Sequence, residues 1–194
     1  MSELVPLMGR KTIEEPVPLI NGRLDVPSMI TQIVKDWDRN WLALYGAHSR
    51  KLSRANGVPR TTTAPREEVY QLELVSSLKS WLPLYYGVFT QVVVENERCK
   101  RTDMYADVMI QMNEERILLE LVAHTGKDNV AEHINRAGEY AKVLKATSTY
   151  VIHFTSSPKI DEYPFCTGNE EVSVIHVYHS PSFDVIKIYQ HKGE

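Results

Sequence analysis

Cysteine is scarce: Cys99 and Cys166 are the only two in 194 residues, and they form no CxxC pair. One disulfide is the most they could form, and free thiols in a reducing compartment are the expectation. Long apolar runs are missing too. The opening stretch MSELVPLMGRKTIEEP has no apolar core of signal-peptide length, and no run approaches a membrane span. An intracellular location, cytoplasmic or nuclear and with no membrane partner, is the expectation. The chain also lacks an excess of positive charge. A net charge of −3 offers no global attraction to a polyanion, so contact with nucleic acid must come from a local basic patch. There is no GxxxxGK[ST], no HExxH and no Gly-x-Ser-x-Gly, which removes support for P-loop, zincin and hydrolase-elbow chemistry.

What is present is the composition of a folded domain, 43% hydrophobic and 24% charged. Pro6, Pro16, Pro18 and Pro27 with Gly9 and Gly22 predict an irregular arm over residues 1–27. Ile30, Ile33, Val34, Trp37, Trp41, Leu44 and Tyr45 then recur at three and four residues. That spacing predicts an amphipathic helix entered at Ser28. Its stripe either packs on its own domain or, through Trp37 and Trp41, forms a face for a protein partner. From Arg50 to Arg66 runs a basic segment with Arg50, Lys51, Arg54, Arg60, Arg66 and three consecutive threonines. Turn-forming residues make much of it a loop, suited either to phosphate contact or to a solvated connector. These parts group as an N-terminal region, 1–65, ahead of a domain over 66–194.

Residues 66–82 read as a helix with Glu67 and Glu68 in the first turn, where they suit the dipole, and Pro83 behind it. Glu73, Ser77 and Ser80 follow one line along it, beside either a site or solvent. Strands follow at Val88–Glu95 and as two strands within Tyr105–Ala123, the latter a hairpin joined at about Asn113 to Glu115. A helix over residues 129–145, capped by Asp128 or Asn129, leads to the strand Thr149–Phe154 and to two more near the end. The sum is an α/β fold with a central mixed sheet and helices on both faces, an extra N-terminal helix and two C-terminal strands.

Two acids stand out. Asp107 in YADVMI and Glu120 in ILLELVA occupy adjacent apolar strands, and a carboxylate in such a run is costly unless it is paired or holds a cation. A shared metal and a structural pair with Arg101 or Arg136 both answer that cost. Asp103 is an alternative ligand, placed in the turn before the strand. His153, His176 and His179 read as core or edge histidines. His176 and His179 are three apart on a strand, hence on opposite faces and ill placed for a joint zinc site.

The order α-β-β-β-α-β, with an acid on the second strand and another on the third, resembles the PD-(D/E)XK or restriction-endonuclease-like nuclease superfamily. ELVA, EHINRAGEY and YVIHFT together look similar to nuclease-like C-terminal domains of Crinkler-type effectors. The resemblance spans about Glu67 to Thr155. It implies hydrolysis of phosphodiester bonds in nucleic acid, DNA first, with Asp107 and Glu120 holding Mg²⁺ or Mn²⁺ and Glu73 assisting. Arg136 and Tyr140 carry the spacing of the family's Q-x-x-x-Y, with Arg for Gln, and would meet the scissile phosphate. Arg50, Lys51, Arg54, Arg60, Arg66 and Lys127 would track the backbone. Such domains often form homodimers.

One position departs from the pattern. Val122 stands where the family has its lysine, two residues after the acid and on the same strand face. Either a cation from the next helix replaces it, Arg136 first and Lys127 second, or catalysis is lost. In the latter case the chain is an inactive nuclease-fold protein that binds nucleic acid or a host protein. Arginine stays protonated, so Arg136 can stabilise charge but cannot act as a base.

Overall fold

A computed structural model describes residues 13–42, 50–52, 54–55, 57–58, 63–94, 104–165 and 171–190. Its centre is a six-stranded mixed sheet, and the reason lies in the burial of its strands. The strands are β5 (Gly87–Val93), β6 (Tyr105–Met112), β7 (Glu115–Ala123), β8 (Ser148–Thr155), β9 (Val172–His179) and β10 (Ile186–Gln190). They lie in the order β10-β9-β8-β7-β6-β5. β7, β8 and β9 are parallel neighbours, and the other pairings are antiparallel.

The central strands are covered on both sides, which explains why ILLELVA is apolar without alternation. Ile117, Leu119, Leu121 and Ala123 pack with α1 (Val26–Asp36) and α2 (Glu67–Trp81). Leu118 and Val122 point the other way, against Tyr140 and against Val130, Ile134 and Ala137 of α3 (Lys127–Leu144). The chain is therefore α/β with helices on both faces of a mixed sheet. Since α1 shares its core with the sheet, a division at residue 65 separates composition rather than packing units.

Several local expectations are corrected. The predicted helix through Trp41 breaks at Trp37, whose backbone turns extended (φ −55, ψ 138). Asp38 then caps a new helical turn by accepting the Trp41 N–H at 3.0 Å. α1 itself starts earlier than expected, capped by Asp25, whose carboxylate accepts the Ser28 N–H at 3.3 Å. Trp37 is buried, with its ring stacked 5.4 Å from Phe154 and tilted 6.1 Å from Tyr70. Trp41 is half-buried against the same core. The partner face through Trp37 and Trp41 is thus overturned, because the ring that would offer it is committed to the interior.

The irregular arm contains a hairpin, β1 (Leu19–Ile20) with β2 (Arg23–Leu24). Asn21 and Gly22, at φ 53 and φ 76, turn it as an Asn-Gly pair favours. The basic segment is partly strand, β3 (Arg50–Leu52) pairing with β4 (Thr63–Pro65). α3 is capped by Gly126 rather than by Asp128 or Asn129. Among the described residues no helix is long and apolar enough to cross a membrane.

Candidate functional site

The hairpin ladder between β6 and β7 runs from Met112↔Glu115 to Val108↔Leu119 and stops there. On the other side of β6, the pairs Thr90↔Val108 and Val92↔Ala106 flank Gln91, which sits at φ 52 in mid-strand. Packing changes sides at this point. Val108 and Ile110 join the core under α1 and α2, whereas Val92, Val94 and Ala106 join Leu118 and Tyr140. Both strands turn over at Gln91 and Asp107. A left-handed non-glycine residue within a strand is costly, and such distortions concentrate at functional sites.

Asp107 exploits the turnover. Its Oδ2 accepts the Leu121 N–H at 2.7 Å, a bond that a main-chain carbonyl would otherwise make. From α2, Gln71 Nε2 donates to the Asp107 carbonyl at 3.1 Å. The side chain is therefore held in the plane between the parting strands. Burial first, and then the charge of Glu120, raise its pKa from 3.8 to about 7, although the Leu121 N–H and Arg136 pull the other way.

Glu120 is wholly buried. Arg136 donates to its Oε1 from Nε at 3.0 Å and from Nη2. His133 Nδ1 lies 3.2 Å from the same oxygen and 2.8 Å from Arg136 Nη2. Oε2 is buried with no hydrogen-bond partner among the described residues. The guanidinium carbon sits 5.9 Å from the centre of the Tyr140 ring, within reach of a cation–π contact. Asp107, Glu120, Arg136 and Tyr140 therefore form one cluster, with His133 as a fifth member.

Other sequence-selected residues lie elsewhere. Glu73 is buried on α2, but it stands about 200° around the helix from Gln71, the residue that touches β6. The α2 acid whose charge is felt at Asp107 is Glu67. Lys127 is exposed at the first turn of α3, roughly 13 Å along the axis from Arg136. Val122 is packed with Val130, Ile134, Ala137 and Val151. Arg54 and Arg66 are exposed, and the Arg54 N–H donates to the His124 carbonyl at 2.9 Å. That bond fastens the basic segment to the exit of β7, on the strand that carries Glu120. Arg50 and Lys51 lie on β3, where the backbone is described. Arg60, Arg101, Asp103, Cys99 and Cys166 lie outside the described residues.

A second polar cluster went unread in the sequence. On the α2 face, the Tyr70 hydroxyl lies 2.6 Å from His124 Nε2 and 2.8 Å from His179 Nε2. His179 Nδ1 lies 2.8 Å from the Ser180 carbonyl and must donate to it. Its Nε2 therefore accepts from Tyr70, which in turn accepts from His124. Burial lowers the His179 pKa to about 4 and keeps it neutral. The three residues come from α2, the end of β7 and the end of β9, so no sequence spacing announces them. Tyr70→Phe is expected to cost about 1–3 kcal/mol, because both histidines lose a buried partner. Urea denaturation measures this, and an unchanged midpoint would remove the network from the account of stability.

His153 and His176 face each other in register, Nδ1 to Nδ1 at 2.9 Å, on the α3 side of the sheet. Burial lowers both pKa values, that of His176 to about 4. His176 and His179 do sit on opposite faces, one against His153 and the other against Tyr70. Among the described residues, no three acids, histidines or cysteines stand ready arranged around a metal position. The local reason is that Arg136 occupies Glu120 Oε1 and Leu121 occupies Asp107 Oδ2. Comparison with protein-family models, with curated proteins and with solved structures finds no match.

Proposed function

We propose that the chain is a metal-dependent phosphodiesterase of the restriction-endonuclease-like type, acting on nucleic acid, with DNA the first substrate to test. The observation that carries this reading is the buried, unpartnered Oε2 of Glu120 beside an aspartate whose ionisation the same charge opposes. A shared cation would offset the repulsion that raises the Asp107 pKa. Asp107 and Glu120 would hold it. A bound Mg²⁺ or Mn²⁺ supplies Lewis acidity at the phosphate and a water of lowered pKa.

The protein's own groups do the rest. The main-chain bond to Leu121 fixes the Asp107 carboxylate. Arg136, partly open to solvent, meets negative charge on the scissile phosphate, and Tyr140 supports the guanidinium from beneath. Arg54 and Arg66 extend the positive surface from the β7 exit, where phosphates on either side of the cleaved bond would run. The order α2-β5-β6-β7-α3-β8 supports the same reading.

One observation favours a second reading, a catalytically silent relative that binds nucleic acid. Val122 fills the lysine position with buried hydrocarbon, and Glu120 already has a cation in Arg136. The two readings part in a thermal-shift and cleavage experiment. Active protein is expected to melt higher with Mg²⁺ or Mn²⁺, to lose that shift in Glu120→Ala, and to cut plasmid or single-stranded DNA. Binding that falls with salt, without cleavage or metal shift, would establish the silent relative. Failure to bind nucleic acid or metal would sink both.

A further inference from the structure

The six-stranded sheet ends at β5 on one side and at β10 on the other. β10 pairs with β9 alone, so among the described residues its outward N–H and C=O groups face no further strand. Between this strand and α1 runs a groove of about 300 Å³, lined by Thr31, Lys35, Arg39, Ile186, Ile188 and Gln190. Strand alternation places Ile186, Ile188 and Gln190 on one face, where both isoleucines pack partly buried against the core. The floor is thus hydrocarbon and the wall is basic. Lys35 and Arg39 are exposed. Among the described residues Lys35 has no ion pair, and Arg39 makes one long bond, 3.4 Å from Nη1 to the Asp184 carbonyl. No acid lines the groove. The carboxylates of Asp36, Asp38 and Asp184 accept bonds from Gln32, Trp41 and Ser182 instead.

We propose that β10 docks an extended acidic segment of a partner protein, which adds to the sheet as a seventh strand and sets carboxylates against Lys35 and Arg39. An edge strand offers main-chain groups at the spacing of another strand, and the groove beside it takes alternate side chains. Charge decides against a second copy of this chain. Two β10 strands side by side would crowd the exposed Lys187 and the Lys35–Arg39 pair of both copies along one seam. An acidic strand turns the same residues into attraction. A nucleic-acid strand would use the two cations but has no peptide groups to continue the ladder and no side chains for Ile186 and Ile188. The inference does not rest on the metal-dependent reading. The groove lies on the α1 side of the sheet, whereas Glu120 lies on the α3 side, three strands away.

Fluorescence anisotropy of the whole chain with a fluorescein-labelled heptapeptide alternating glutamate and valine tests the proposal. Saturable binding that weakens with salt is expected, and none to the same peptide with lysine in place of glutamate. The double substitution Lys35→Glu with Arg39→Glu should weaken binding about tenfold or more. If that variant does not fold, Lys35→Gln with Arg39→Gln should give a smaller loss. Amide spectra of ¹⁵N-labelled protein should move at Ile186–Gln190. Two peptides N-methylated at opposite alternate positions probe the ladder. Only one of them should lose binding, because only one set of N–H groups meets β10.

No binding of the glutamate peptide at about 1 mM, which bounds the affinity near 4 kcal/mol, would overturn the proposal. Unchanged affinity in both double variants, or equal behaviour of the two methylated peptides, would do the same. Displacement of the peptide by single-stranded heptathymidylate at equal concentration would give the groove to nucleic acid. A dimer in sedimentation that dissociates on Ile188→Glu would give it to a second copy. Either result rejects the acidic peptide as occupant.

Discussion

Asp107→Asn is expected to abolish cleavage and yet to melt higher than the parent above pH 7 in the absence of metal. The loss of activity follows from removing one of two charges that would hold the ion. Groups of that kind in a fixed site are worth on the order of 10³-fold in rate. The gain in stability follows from the sign of the Asp107 shift. Its pKa is raised from 3.8 to about 7 in the folded chain, by burial and by Glu120. The folded state therefore holds the proton more tightly than the unfolded chain does. That contribution is fully present below the unfolded pKa and is lost as pH rises through about 7, where the half-buried side chain ionises. At most it amounts to something on the order of 4 kcal/mol.

Asparagine never ionises, and its side-chain carbonyl can still accept the Leu121 N–H. The metal-free variant should therefore lack the fall in melting temperature that the parent shows between about pH 4 and pH 7. Thermal melts across pH 4–9 in chelator give the comparison. A parallel fall in both proteins would show that Asp107 is not the group responsible. Adding Mn²⁺ should reverse the ranking above pH 7, because the ion stabilises the parent and has lost a ligand in the variant.

Val122→Lys is the obvious attempt to restore the lysine of the nuclease pattern, and it is expected to fail through folding. Val122 is 2% exposed and enclosed by Val130, Ile134 and Ala137 of α3, with Val151 beside it on β8. An ammonium there must lose its hydration or force α3 off the sheet. The cost should be on the order of 3 kcal/mol or more. Glu120, on the same strand face, is already bonded to Arg136, so it offers little rescue. Denaturant unfolding with a cleavage assay on the folded fraction decides the matter. A folded V122K protein of near-parent stability and higher activity would show that the α3 contact is looser than the packing implies. That result would also make Arg136 dispensable.

The hydrophobic pattern carried much of the architecture. ILLELVA read as an apolar strand, and an acid within it needed a partner, which is why Glu120 was legible from its neighbours alone. The spacing of His133, Arg136 and Tyr140 placed a cation on the face of α3 toward that strand. Local signals were weaker guides to boundaries. The periodicity of Trp37 and Trp41 continued through a break that Asp38 imposes by capping a new turn. The Asn-Gly turn at 21–22 lay inside a stretch whose prolines suggested irregularity.

The sequence by itself determined that two acids would lie on neighbouring strands and that Val122, not lysine, would follow the second. Hydrocarbon content and alternation are properties of a segment, so they survive without the fold. Only the tertiary structure decided what the acids meet. It turned β5 and β6 over at Gln91 and Asp107, bonded Asp107 to the main chain of Leu121, and brought Arg136 and His133 onto one oxygen of Glu120. It also buried Trp37, and it joined Tyr70, His124 and His179 from three separate elements. Those contacts depend on strand twist and helix rotation, which set the positions of atoms far apart in the chain, and no pattern of residues within a single segment encodes them.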